Sequence, residues 1–405
     1  MRKNIKKTIS IFMIILLLGL VITGCVEKKP NTLTEEQKIE DFEYMYKIIK
    51  ANYPFLEVNK RVNGIDWLAK KDEFMKEIKR CKNDEEYTEK LQNILSLLNN
   101  GHTKILDKDF YEYLLSVCRD NKGAKPWLAE LTQHHALKRY GYDMNKETDN
   151  SKRENVELVS VKDNVETKIV DDNIAYMKIK CFLINNAEMN KEQIRSFIKE
   201  IKELDALIID IRGNKGGYDS FWKEGIVSSL IEKTLSTDFY LFIRGGEFTE
   251  KFLNKNALLE VNKAQHFKNM KYLPPEILSD FKYYSKETIY VTPCESIKFK
   301  GRIFLLVDKN VYSSAEKFAV FAKETGFATL IGEKTGGDGI IECLPLCTLP
   351  NSGLVMRFST EMGTAESGIC NEEHKTTPDY IVDAEITENI EDDKCIQKVM
   401  ELIGK

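Results

Sequence analysis

Two short, continuously apolar runs in the second half of the chain constrain its fold more than any other feature. Ala206-Leu-Ile-Ile-Asp-Ile211 is apolar apart from Asp210, and Arg302-Ile-Phe-Leu-Leu-Val-Asp308 has the same character and length. Runs this short, without polar alternation, are expected of strands covered on both faces. Ile174–Ile179 reads as a further strand, helical spacing follows from about Lys191 to Glu203, and another helix runs from near Asp219 to about Ile231. This alternation beyond about residue 155 predicts an α/β core. Upstream the period changes. Thr34 to Asn52 carries apolar residues at Ile39, Phe42, Met45, Tyr46 and Ile49, and helices near 66–81 and 84–98 follow, so the first region reads as helical. The second of these opens on a capping box at Asn83 and Glu86. With 405 residues and a net charge of −4, the chain has room for two sizeable cores and lacks the basic excess of a nucleic-acid binder.

The turns between these elements carry the chemistry. The 206–211 run closes on Arg212-Gly-Asn-Lys-Gly-Gly217, whose paired glycines allow positive φ and let a backbone N–H approach a ligand. Taken alone it is an ordinary glycine turn, with Asp210 and Arg212 as structural hydrogen-bonding partners. The 302–308 run leads into Val311-Tyr-Ser-Ser-Ala-Glu316, with helical spacing at Phe318, Ala319 and Ala322. Ser313 therefore falls at a strand-to-helix turn. Its hydroxyl would be presented at the positive end of a helix dipole, with the Ser314 N–H aimed at a developing oxyanion. The simpler alternative is a capping box of Ser313 and Glu316. His102, in Asn100-Gly-His-Thr103, follows the helix marked by Tyr87, Leu91, Ile94, Leu95 and Leu98, on a loop where an imidazole can be aimed. It is one of five histidines; His134 and His135 fall in a polar helical stretch, His266 in a Lys-rich loop and His374 near the C-terminus.

In this order the three segments resemble those of the serine peptidase family that contains the C-terminal-processing (tail-specific) proteases and the tricorn core protease. Gly101-His102-Thr103 is similar to the family's Asp-Gly-His-Thr, with Asn100 in place of the Asp. Asp210–Gly217 resembles Asp-Leu-Arg-x-Asn-x-Gly-Gly, and Gly332-Glu-Lys-Thr-Gly-Gly-Asp-Gly339 resembles Gly-Glu-x-Thr-x-Gly-x-Gly. The resemblance implies a ClpP/crotonase-like layered sheet, Ser313 as nucleophile, and an oxyanion hole from Gly216 or Gly217 with the Ser314 amide. Tail-specific members carry a general-base Lys where this chain has Asp338, which argues against a Ser/Lys dyad. The family's other solution implies His102 as base and an orienting Glu six residues before a Pro-Asp pair. In Asn371-Glu-Glu-His-Lys-Thr-Thr-Pro-Asp379 this lands on Glu372, with Glu373 as the alternative. Asp338 is expected to contribute little. The implied activity is hydrolysis of polypeptides through an acyl-enzyme, without cofactor or metal; since the family also includes ligand carriers, a non-catalytic binding protein is the alternative.

The N-terminus predicts a compartment. Met1–Lys7 is basic, Ile9 to Ile22 is apolar but short for a membrane span, and Ile22-Thr-Gly-Cys25 resembles a bacterial lipoprotein box. The expected organisation is a signal peptide (1–24), acylation at Cys25, a tether (25–33), an N-terminal helical domain (34–105), a connecting region (106–170), and the peptidase core (171–405) with an insertion at about 218–300. The connecting region is too polar and glycine-poor for the PDZ module usual in tail-specific proteases. The expected partners are therefore a polypeptide substrate and, through Cys25, the outer face of the cell membrane. Eight further cysteines are scattered without a disulfide rhythm, and Cys343 and Cys347 read as alternating strand residues.

Overall fold

The computed structural model describes residues 32–142, 164–171, 173–183, 187–294 and 299–404. The segment expected to hold the signal peptide, Cys25 and most of the tether lies outside them. Among the described residues no helix is long and apolar enough to cross a membrane.

The described residues open on four α-helices, α1 (Glu35–Asn52), α2 (Leu56–Asn63), α3 (Lys71–Lys79) and α4 (Asp84–Ser96). α1 starts on a closed capping box: Thr34 Oγ1 accepts from the Gln37 N–H, and the Thr34 N–H donates back to Gln37 Oε1. α4 is capped by Asn83 alone, because the Glu86 carboxylate takes the Lys82 N–H instead. Strand β1 (Lys104–Ile105) and helices α5 (Lys108–Asp120), α6 (Lys125–Leu131) and α7 (His134–Tyr140) follow.

The second half alternates as the sequence predicts. β2 (Val165–Asp171) and β3 (Ile174–Ile179) lead to α8 (Ala187–Glu200) and β4 (Ala206–Asp210). In place of the helix expected up to Ile231 there is a π-helical stretch, Phe221–Val227, and one further turn. The insertion then contributes β5 (Leu235–Ile243), β6 (Leu259–Glu260) and β7 (Tyr283–Val291). β8 (Arg302–Val307), α8's counterpart α9 (Ser314–Thr325) and β9 (Thr329–Gly332) return the chain to the core. The last elements are β10 (Leu346–Thr348), β11 (Val355–Arg357), β12 (Glu361–Ala365), α10 (Asn371–His374), β13 (Tyr380–Ile381) and α11 (Lys394–Leu402). Cys347 sits in β10, but Cys343 precedes that strand, and both thiols are buried and free.

Three sheets form. The central one has the order β13-β9-β8-β4-β3-β2 and is parallel except for β2. Its strands alternate their burial between two apolar clusters, as a period of two requires. Leu207, Ile209, Leu305 and Val307 face α8, α9 and the inner side of β5 and β7, whereas Ile208, Phe304 and Leu306 face α11. A second, antiparallel sheet (β12-β5-β7-β6) sends Tyr240, Phe242 and Tyr284 into one cluster with Phe42, Ile49 and Trp67 of the N-terminal region. The helical region is thus continuous in packing with the insertion. The small sheet β1-β11-β10 bridges it to α5–α7, where Leu346 and Val355 meet Tyr111 and Leu131.

This topology gathers the loops that matter. β4, β8 and β9 are parallel neighbours, so the turns after their carboxyl ends, at 212–217, 308–313 and 333–338, open on the same edge of the sheet. That edge is where open α/β sheets place ligands.

Candidate active site

Ser313 occupies the turn between β8 and α9 with φ +58° and ψ −127°, outside the regions ordinary side chains prefer. Such a conformation costs about 1–3 kcal/mol and persists only where its surroundings hold it. Here the Ser313 N–H donates to the Gly337 carbonyl, the Tyr312 N–H to the Asn214 carbonyl, and Gly216 packs beneath the turn. A Cβ at Gly216 would stand 2.8 Å from both Ser314 N and Tyr312 O, so the close approach requires glycine. The capping box does not form. Ser313 makes no side-chain cap, and Glu316 is fully buried, its Oε1 accepting from Asn371 Nδ2 and Thr376 Oγ1. The hydroxyl of Ser313 is left for other use, while that of Ser314 donates to Asp219 at 2.7 Å.

His102 reaches this hydroxyl from the other half of the molecule. Asn99 reverses the chain after α4 with φ +54°, and β1 then fixes the loop by pairing Lys104 with Arg357 of β11. His102 Nε2 lies 3.1 Å from Ser313 Oγ, and Nδ1 lies 2.8 Å from Asp338 Oδ2. A carboxylate can only accept, so Nδ1 carries the proton and Nε2 is free to accept from the serine.

The orienting carboxylate therefore differs from the one expected. Asp338, in the turn after β9, holds the imidazole, and Glu372 does not touch it. Asp338 Oδ2 also accepts from Asn100 Nδ2 at 2.6 Å and Ser359 Oγ at 3.0 Å. Burial would raise its pKa, but the bonds from His102, Asn100 and Ser359 outweigh that and keep it below the ordinary range. Glu372 stands behind Asp338: its Oε1 accepts from Asn100 Nδ2 at 3.3 Å and its Oε2 pairs with Lys375 at 2.7 Å. Burial and the nearby Asp338 charge push it upward, against the pull of Lys375. Glu373 is removed from the site altogether, bound to Arg61 through both carboxylate oxygens.

Of the two glycine donors expected, Gly217 alone stays available. The Gly216 N–H is taken by Asn214 Oδ1 at 2.8 Å, so Gly216 supplies space rather than a donor. Among the described residues no hydrogen bond uses the N–H of Gly217 or of Ser314. Gly217, Ser313 and Ser314 together line a cleft of about 740 Å³ that also takes in Trp127, Lys317 and Arg357. Asp210 and Arg212 are structural, as read from the sequence: Arg212 bridges Asp210 and Asp393 at 2.7 Å each, all three buried. Among the described residues no cluster of His, Cys, Asp or Glu has the arrangement of a metal site.

Asn100 and Asp338 complete the hydrogen-bonded line at His102, and the sequence motifs give neither of them a place in it. Both stand where this chain departs from the motifs it resembles, and the two departures compensate each other, a donor for an acid at one position and an acid for a base at the other.

A hydroxyl, an imidazole and a buried carboxylate joined in one hydrogen-bonded line, beside two free amides at the edge of a parallel sheet, define the class: a serine-type peptidase. The sequence profile of peptidase family S41 matches residues 173–382, more than half of the chain, and the protein belongs to that family. Ser313 and Asp338 lie inside the matched segment and His102 outside it. The fold is similar to that of a candidate peptidase from Parabacteroides merdae, with a TM-score of 0.58 and 18% identity over 91% of this chain and 97% of that one. It is also similar to mature CPAF in complex with lactacystin, with a TM-score of 0.57 and 11% identity over 91% and 98%. Comparison with curated proteins returned no match.

Proposed function

We propose that this protein is a lipid-anchored, extracytoplasmic serine peptidase in which Ser313, His102 and Asp338 cleave peptide bonds through an acyl-enzyme. The observation that carries the reading is the unbroken line from Asp338 through His102 to Ser313. His102 Nε2 takes the hydroxyl proton as Ser313 Oγ attacks the scissile carbonyl, and Asp338 stabilises the imidazolium that forms. The oxyanion is met by the N–H groups of Gly217 and Ser314, donors already fixed by the turn and the start of α9. His102 then delivers its proton to the leaving amine, and water, deprotonated by the same nitrogen, releases the acyl group. No metal or cofactor enters these steps. Mass spectrometry of the protein quenched during turnover of an activated ester substrate tests the scheme: the acyl group is expected on Ser313, and its appearance on Ser314 would overturn it.

Location rests on the sequence of the N-terminus. Acylation at Cys25 would hold the mature protein on the membrane, and a tether of roughly ten residues reaches about 35 Å at most, which favours envelope or secreted polypeptides as substrates. Wild-type protein is expected in the membrane fraction and Cys25→Ser in the soluble fraction or unprocessed. Wild-type protein recovered wholly from the cytosol would refute the anchor.

A further inference from the structure

Asp219 ties together the two segments that carry the free amides. It follows Gly217 by two residues, just ahead of the π-helical stretch, and its Oδ1 accepts from Ser314 Oγ at 2.7 Å. Its Oδ2 pairs with Lys317, one turn further along α9, at 3.1 Å, and with Lys223 of its own stretch at 3.7 Å. One carboxylate thus fastens the glycine turn, which holds the Gly217 N–H, to the residue that holds the Ser314 N–H.

Each amide is aimed by its own peptide plane, because the N–H and C=O of a trans peptide point in opposite directions. The Gly216 carbonyl accepts from the Phe182 N–H at 2.9 Å, which turns the Gly217 N–H away from Phe182. The Ser313 carbonyl accepts from the Lys317 N–H at 2.9 Å, which directs the Ser314 N–H out of the start of α9. Neither bond sets the distance between the two donors. At their base the two segments are joined by the Tyr312 N–H on the Asn214 carbonyl and by Trp222 stacked on Phe318, with ring centroids 5.2 Å apart. At the cleft, whose wall includes Asp219, Ser314 and Lys317, Asp219 makes the crossing. A carboxylate so placed would oppose a developing oxyanion were it not neutralised by Lys317 and Lys223. Burial would raise its pKa, but Lys317, the Ser314 hydroxyl and Lys223 outweigh that and hold it below the ordinary range, so it stays ionised.

From these contacts we infer that Asp219 is a positioning residue for the reaction, a brace that sets the spacing of the Gly217 and Ser314 amides and acts on the oxyanion through them. This role rests on the peptidase reading, in which those amides receive the oxyanion. Such donors work over a narrow range, and a misplacement of about 1 Å can cost about a hundredfold in rate.

The test compares wild type, Asp219→Ala, Asp219→Asn, Ser314→Ala and the Asp219→Ala/Ser314→Ala double variant. Measured for each are kcat and KM on one quenched-fluorescent peptide and the affinity for the matching peptide aldehyde. The Ser313 oxygen adds to the aldehyde carbon, its proton passing to His102, and the tetrahedral adduct places an oxygen where the oxyanion forms. Asp219→Ala should lower kcat about tenfold to a hundredfold with KM nearly unchanged, and weaken the aldehyde by a matching factor. Asp219→Asn, whose Oδ1 can still accept from Ser314, should recover much of the loss, and the double variant should lose no more than Asp219→Ala alone. Wild-type kcat and aldehyde affinity in Asp219→Ala, or a loss carried by KM alone, overturns the brace. If Asp219→Ala does not fold, Ser314→Ala decides: kcat and aldehyde affinity should fall together, and unchanged values overturn it. Wild type that neither cleaves nor binds the aldehyde counts against the peptidase reading. Crystal structures of wild type and Asp219→Ala then judge the brace by itself: the separation of the Gly217 and Ser314 nitrogens should change by more than about 0.5 Å, and an unchanged separation refutes it.

Discussion

At the scale of single residues the site is organised around Asn100. Its amide nitrogen donates to both Asp338 and Glu372, and its oxygen accepts from the His102 N–H and Thr103 Oγ1. One neutral side chain thereby separates two buried acids and fixes the loop that carries the base. Asn100→Asp replaces the donor with a third carboxyl group in the same pocket. The added acid ionises at a growing cost as pH rises, so the melting temperature should fall further below wild type at pH 8 than at pH 5, by an amount equivalent to about 1–3 kcal/mol, with hydrolysis reduced at least tenfold. A melting-temperature difference that stays constant with pH, measured by calorimetry, would show that Asn100 does not serve this role.

At the scale of elements, the sequence made the parallel core legible because its strands are buried on both faces, and the apolar runs 206–211 and 302–308 therefore announce themselves. The antiparallel insertion was not legible: β5 and β7 bury one face on the central sheet and the other against N-terminal helices nearly two hundred residues upstream, a pairing no local period records. The Ser313–Glu316 spacing was legible but ambiguous. A capping box and a strained nucleophile turn share the same residues, and what separates them is whether Asn371 and Thr376 claim the glutamate. β12 carries its own titration. Glu361 lies fully buried there, its Oε2 accepting from the Glu342 and Cys343 N–H groups, and burial raises its pKa from the ordinary 4.5 to about 7 despite those bonds. The folded state then holds a proton that the unfolded chain releases, so this stabilisation is complete below about pH 4.5 and is lost as pH rises through 7. Urea denaturation should show roughly 3 kcal/mol of stability lost over that window, and Glu361→Gln should flatten the decline. An identical slope in the variant would rule the residue out.

At the scale of the whole molecule, the chemistry depends on joining two regions that are far apart in sequence. The core supplies Ser313 and Asp338, the helical region supplies His102, and the β1–β11 pairing sets their distance. The core is closed from behind by α11, whose N-cap Asp393 also receives Arg212. Removing that carboxylate in Asp393→Ala leaves a buried guanidinium half-paired and should cost about 3–5 kcal/mol in equilibrium unfolding, with Asp393→Asn costing less because the cap survives. Equal stability of Asp393→Ala and wild type would contradict this view of the C-terminus. Sequence motifs located Ser313 and His102, but they passed the orienting role to Glu372, because spacing along the chain cannot tell which of two neighbouring carboxyl groups faces the imidazole. The measurement that bears most directly on the account is the rate at which a fluorophosphonate probe labels Ser313 in wild type, Asp338→Asn and Glu372→Gln. Wild type should label at Ser313, Asp338→Asn should label roughly a thousandfold to ten-thousandfold more slowly, and Glu372→Gln should stay within about tenfold of wild type. Normal labelling of Asp338→Asn together with a collapse in Glu372→Gln would contradict it.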